Sequence, residues 1–186
     1  MRLPRLFISG TGIGLMVLLG AVLAHAQGRQ LRTDLSGFEE VLAGVGGAVF
    51  SEGSGEFRGR IRRDDTAIDY TLSYAFPDGT NVTQAHLHFG QLHTTGGIVV
   101  FLCANPPAAP PAGPIPPQCP TPAGSVTNVI DASKVLVQTG QGFPSGDLDA
   151  LIAALRAGAI YVNVHTEVFP AGEIRGQLNR RGSQED

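Results

Sequence analysis

The sequence lacks the short motifs that mark the large enzyme classes. It contains no nucleophile elbow, no H-E-x-x-H metalloprotease motif, no phosphate-binding loop and no dinucleotide-binding fingerprint. Serine, histidine and acidic residues are present, but no local spacing among them marks a catalytic triad. We therefore expect a protein that is not an enzyme and assign no catalytic residue; the alternative is a metal-dependent enzyme.

Basic residues are too few to suggest a nucleic-acid-binding surface. The chain has 13 Lys and Arg against 16 Asp and Glu, which gives a formal net charge of -3. Removal of Arg2 and Arg5 with a cleaved leader would lower that charge to -5. Because binding to nucleic acid requires a concentrated positive surface, no nucleic-acid partner is expected.

Long apolar runs are absent beyond the N-terminal segment. There, Arg2 and Arg5 precede an apolar core from Ile13 to Leu23, and Ala24-His25-Ala26 fits a small-x-small cleavage pattern. This pattern predicts a secretory signal peptide at residues 1–26, cleaved after Ala26. An uncleaved membrane anchor is the alternative, but the core is short for about 30 Å of hydrocarbon. The mature chain is expected to be secreted or periplasmic and to have no membrane span.

Cysteine is scarce, with only Cys103 and Cys119. An even number of cysteines in an exported protein favours a disulfide. The segment between them contains seven prolines, so it can form neither a helix nor a strand ladder. A disulfide would hold this segment as a loop. A cysteine metal site is the alternative, which the lack of a nearby histidine disfavours.

What the sequence does contain is a series of short alternating segments. Apolar and polar residues alternate most clearly from Ile68 to Phe76, and glycine- or proline-containing turns separate such segments. One helix is predicted where Leu148 to Leu155 shows helical spacing, with Ser145 or Asp147 as its cap and Gly158 as its end. The predicted fold is all-β: an antiparallel β-sandwich or barrel of short strands with one short helix before the C-terminal strands.

This pattern fits one domain. We place it at residues 27–180, with a core from about 31 to 178, and expect a polar tail at 181–186. Residues 27–34 are interpreted as a polar lead-in to the first strand. Residues 35–48 are interpreted as a strand, a glycine loop and the start of a second strand.

The candidate site consists of polar residues on alternating strands. His86 and His88 share one face of the strand Ala85-His86-Leu87-His88-Phe89, and His165 lies on the polar face of Tyr161-Val162-Asn163-Val164-His165. Glu173 and Arg175 share one face of the last strand. We predict that His86, His88 and His165 converge, with Glu173 or Arg175 beside them.

The purpose of this cluster stays open at the level of sequence. Three imidazoles with an open position suit copper or zinc, and His93 in the following loop could reach an ion held by His86 and His88. Alternatively, the histidines bond to backbone carbonyls and to Glu173 in a structural network. An acid–base role is the third interpretation.

The chain resembles a known family, the CHRD domain, a module found in chordin and in exported bacterial proteins. The resemblance extends from about Leu31 to Leu178. The segments that carry it are Leu35-Ser36-Gly37-Phe38-Glu39-Glu40-Val41, His86-x-His88-x-Gly90, Gly96-Gly97-Ile98-Val99-Val100-Phe101-Leu102-Cys103, Tyr161-Val162-Asn163-Val164-His165-Thr166 and Gly172-Glu173-Ile174-Arg175-Gly176.

The resemblance implies an all-β, extracellular or periplasmic module without a settled activity. The expected function is therefore that of an exported, non-enzymatic binding or structural module. Its partner would be a protein or a small ligand outside the cytoplasm. The alternative is a copper- or zinc-binding protein, which includes a metal-dependent redox enzyme.

Overall fold

A computed structural model describes residues 29–44, 46–108 and 113–178. The predicted signal peptide at 1–26 and the predicted polar tail at 181–186 lie outside these described residues. No helix within the described ranges has the length and apolar character needed to cross a bilayer.

The alternating segments form antiparallel strands, as the sequence predicts. Helix α1, Leu148–Arg156, precedes the last two strands. The strands are β1 Gln30–Ser36, β2 Ser54–Ile61, β3 Ile68–Ala75, β4 Val82–Phe89, β5 Gly97–Ala104, β6 Ala123–Ile130, β7 Ile160–Thr166 and β8 Ile174–Gln177. All pair in one sheet in the order β5-β4-β7-β8-β1-β2-β3-β6.

The sheet curls until its two end strands, β5 and β6, touch, so it forms a nearly closed barrel. Alternate apolar residues, such as Phe57, Leu72 and Leu87, point inward and are almost fully buried in one hydrophobic core. Removing each such side chain from water stabilises the fold by about 1.5–3 kcal/mol. The predicted all-β fold is confirmed.

Helix α1 contributes to the same core. Its buried face presents Leu151, Ile152 and Leu155. The Asp147 side chain accepts a hydrogen bond from the Ala150 amide at 2.8 Å, which caps the N-terminus. After the helix, Gly158 adopts a positive φ of 70°, a conformation in which glycine avoids the steric strain of a β-carbon.

The disulfide between Cys103 and Cys119 is present. Both cysteines are buried, and the link closes the proline-rich segment at the end of β5. The Asn105 side chain strengthens this closure, since its amide nitrogen donates to the carbonyls of Val82 and Cys119.

Replacing Cys103 and Cys119 together by alanine should lower the free energy of unfolding by up to about 3 kcal/mol, because the unfolded chain regains the freedom of a closed loop. Prolines already restrict that loop, so the loss should fall short of the full value. Urea unfolding of the variant and of the reduced wild type should give the same stability. Two free thiols in the unfolded, unreduced wild type would contradict the disulfide.

The opening segment differs from the sequence-based interpretation. Residues 30–34 are not a lead-in but part of β1, which pairs with β2 and β8. Residues 37–53 contain only a one-turn 3-10 helix, Gly37–Glu39, and then irregular chain in the described part. A β-carbon at Gly37 would overlap the carbonyl oxygen of Val49, so this close approach requires glycine. The segment consequently folds back over the sheet.

Candidate metal centre

Strand pairing assembles the candidate site from three neighbouring strands. β7 lies between β4 and β8, and cross-strand partners share one face. The pairs that line the face opposite the core are Gln84 with His165, His86 with Asn163, His88 with Tyr161, Asn163 with Arg175, and Tyr161 with Gln177. The sequence placed these residues on the correct faces, and the register brings them together.

This face is buried, although it is not part of the hydrophobic core. The exposed fractions are 0% for His86, 8% for His88 and 6% for His165. Three covering loops exclude solvent, namely residues 37–53 in their described part, 91–96 and 167–173. The site is therefore a closed polar layer between the barrel and its loops.

Two backbone carbonyls fix the histidine tautomers. The Nδ1 atom of His88 lies 2.9 Å from the Gly96 carbonyl oxygen, and the Nδ1 atom of His165 lies 3.0 Å from that of Pro170. A carbonyl oxygen can only accept, so each Nδ1 carries the proton and donates it. In the neutral rings, both Nε2 atoms therefore hold a lone pair.

The third imidazole completes the cluster. Nδ1 of His86 lies 3.1 Å from Nε2 of His165 and donates to it, and its ring packs edge-on against Phe101 with centroids 4.3 Å apart. The Nε2 atoms of His86 and His88 are buried, and neither has a hydrogen-bond partner among the described residues. Buried nitrogens without partners are rare and require an explanation.

Burial keeps the three imidazoles neutral. It lowers the pKa of His88 to about 4. It also lowers the pKa of His86 well below its usual value, with the charges of His165 and His88 as smaller causes. The pKa of His165 also falls to about 4, chiefly because of burial. Neutral imidazole is the form that binds a metal ion.

The spacing of the three rings is close to that of ligands around one small ion. Nitrogens that each lie about 2.0 Å from one ion are about 3.3–3.5 Å apart. One ring nitrogen from each of His86, His88 and His165 lies within 4.8 Å of the other two. Shifts of roughly 1 Å would bring all three into ligand distance. The carbonyls on the two Nδ1 atoms are the outer contacts that orient metal-bound histidines.

Glu173 and His93 are not in this cluster. The Glu173 carboxylate, although buried, accepts hydrogen bonds from Ser51 and Thr166. His93 is exposed at the tip of the loop, with a positive φ of 61°. His93, which the sequence suggested as a further ligand, and Glu173, which it suggested as a hydrogen-bond partner, both lie outside the group of three histidines.

Arg175 lies beside the cluster and holds one covering loop. Its guanidinium carbon is 3.5 Å from the centroid of the Tyr161 ring, which also stacks against His88 at 4.7 Å. The guanidinium donates to the carbonyls of Thr94 and Gln91 at 2.8 and 3.2 Å. Burial lowers the Arg175 pKa, and no described carboxylate forms an ion pair with it.

Sequence reasoning missed the residues that close the site. Glu40 is buried and accepts a hydrogen bond from Asn163, and burial raises its pKa. The Tyr161 hydroxyl accepts from the Gly96 amide at 3.1 Å. Alternation gave Tyr161 and Asn163 their face, but no local signal pointed to Glu40 as their cover.

Comparison with known proteins gives a family but no individual relative. The search of curated proteins found no match, and neither did the search of solved structures. The family model for the CHRD domain matches residues 31–178, which include the disulfide, helix α1 and all three clustered histidines. The chain therefore belongs to the CHRD domain family.

Proposed function

We propose that this CHRD domain is a metal-binding module that holds one copper or zinc ion between His86, His88 and His165. The observation that carries the proposal is the pair of buried Nε2 atoms, on His86 and His88, without a described hydrogen-bond partner. A metal ion would accept lone pairs that no described group satisfies, and His165 would join as a ligand once its Nε2 atom exchanges the hydrogen bond from His86 Nδ1 for the ion.

A purely structural network explains these atoms poorly. Leaving a buried polar atom unpaired costs about 1–3 kcal/mol, and an apolar side chain of similar size would avoid that cost. The backbone contacts of His88 and His165 each use Nδ1 and turn Nε2 away from the carbonyl. This arrangement is typical of imidazoles oriented for a metal.

The closed geometry supports binding rather than turnover. The covering loops bury all three histidines, which leaves a substrate little access to an ion. Catalytic zinc and copper sites keep an open coordination position. We therefore propose that this chain binds a metal ion and does not catalyse a reaction on it.

We also propose that the protein works outside the cytoplasm, in a secreted or periplasmic form. The predicted leader at residues 1–26 and the disulfide between Cys103 and Cys119 support this location, because disulfides persist in oxidising compartments.

Titration with Zn(II), or with Cu(I) under reducing and anaerobic conditions, should show about one bound ion per chain. The protein should carry no histidine tag, and chromophoric chelators should compete for the ion. His165→Ala should abolish this binding because it removes one of only three ligands. The matched control, His93→Ala, should bind like the wild type. Equal binding by wild type and His165→Ala would contradict the proposal.

A further inference from the structure

We propose that the three-histidine site selects univalent copper, Cu(I), over the divalent ions Zn(II) and Cu(II). This inference rests on the proposed metal function and concerns the charge of the ion. It follows from the charges that surround the site, from its burial and from the number of its ligands.

The site offers no negative ligand. Its three members are neutral imidazoles, and the group contains no cysteine or carboxylate among the described residues. Two buried acids, Glu40 and Glu173, form hydrogen bonds with other groups. Glu40 accepts from Asn163 and from the Val41 amide. Glu173 accepts from Ser51 and Thr166. The bound complex would therefore keep the full charge of its ion.

Burial penalises the higher charge. The three rings are at most 8% exposed, so the ion would lie in a medium of low polarity. The free energy of transferring an ion out of water grows with the square of its charge. A divalent ion with only neutral ligands thus loses far more solvation than a univalent ion in the same place.

A buried cation adds to this discrimination. Arg175 lies on the Tyr161 ring, whose other neighbour is the ligand His88, and it has no ion-pair partner among the described carboxylates. Repulsion from Arg175 is twice as large for a divalent ion as for a univalent one.

The number of ligands also favours Cu(I). Structural Zn(II) is almost always four-coordinate, and Cu(II) prefers tetragonal surroundings. Here, only three ligands converge in the described chain, and the loops that carry Gly96 and Pro170 close over them. Cu(I) is a closed-shell ion of low charge that is stable with three ligands. Sulfur ligands, which commonly select Cu(I), are absent from this group, so the selection would rest on charge and on ligand number.

The reduction potential of bound copper tests this inference, because it reports the ratio of Cu(I) to Cu(II) affinities. Protein loaded with one copper should show a potential above that of the aqueous ion. Arg175→Gln should lower the Cu(I)/Cu(II) affinity ratio about tenfold, which is the effect expected of one unit charge at this range. Arg175→Lys keeps the charge and should retain the wild-type ratio.

The ratio separates charge from loop damage. A loosened 91–96 loop would lower the affinities for Cu(I) and Cu(II) alike in both variants. Loss of the charge would change the ratio of the two affinities, and only in Arg175→Gln. A potential at or below that of the aqueous ion, with copper still lost in His165→Ala, would overturn the selectivity and leave the metal site standing. Failure to bind both copper, in either oxidation state, and Zn(II) would overturn the proposed function itself.

Discussion

Replacing His88 by phenylalanine should lower the affinity for copper or zinc at least about 100-fold while changing the stability of the metal-free protein by no more than about 1 kcal/mol. Phenylalanine keeps the stacking on Tyr161 and removes the buried, unpartnered Nε2 atom. The lost partner, the Gly96 carbonyl, belongs to a partly exposed residue at the end of the 91–96 loop, so we expect a cost near the lower end of the range for an unpaired group.

Two measurements check this result: metal affinity by chelator competition, and the free energy of unfolding in urea without metal. His93→Phe is the matched control, since His93 is exposed and lies outside the cluster. It should alter neither quantity. If His88→Phe instead destabilised the metal-free protein by 3 kcal/mol or more, beyond the usual cost of one unpaired group, and metal affinity were unaffected, the histidines would form a structural network.

Lowering the pH should destabilise the metal-free protein at pH values above those at which most carboxylates titrate. The pKa of His88 and of His165 is about 4 in the folded state and near 6.5 in the unfolded chain. Between these values the unfolded state binds more protons, so stability falls as the pH falls. At pH 5 each of these histidines should reduce the free energy of unfolding by about 2 kcal/mol relative to pH 7.5.

Urea unfolding of the metal-free protein at pH 7.5 and pH 5 measures this loss. Glu40 acts in the opposite direction, because its raised pKa means that acid relieves the cost of burying its charge. A comparison with His88→Phe isolates the histidine: this variant should lose about 2 kcal/mol less than the wild type between the two pH values. An identical loss in both proteins would show that His88 is not neutral and buried as described.

Local sequence pattern predicts those elements that do not depend on which particular segment they pack against. Strand β3 alternates without interruption, so any sheet would bury Leu72 and expose its polar neighbours. The cap at Asp147 and the disulfide likewise follow from residue type and spacing. For the same reason, alternation was sufficient to place His86 and His88 on one face of β4.

The elements that it misses depend on distant parts of the chain. Residues 30–34 contain only one apolar side chain, Leu31, and become a strand because β2 offers a full antiparallel edge. The burial of the histidines depends on the loops that carry Glu40, Gly96 and Pro170, which meet the site only after folding. Alternation cannot distinguish a solvated polar face from a covered one.

X-ray absorption spectroscopy of protein loaded with one equivalent of Cu(I), and separately of Zn(II), tests the metal site most directly. We expect three nitrogen neighbours at about 2.0 Å with the outer scattering of imidazole rings, and loss of this signal in His165→Ala but not in His93→Ala. A spectrum dominated by oxygen neighbours, or one identical in wild type and His165→Ala, would contradict a metal centre built from His86, His88 and His165.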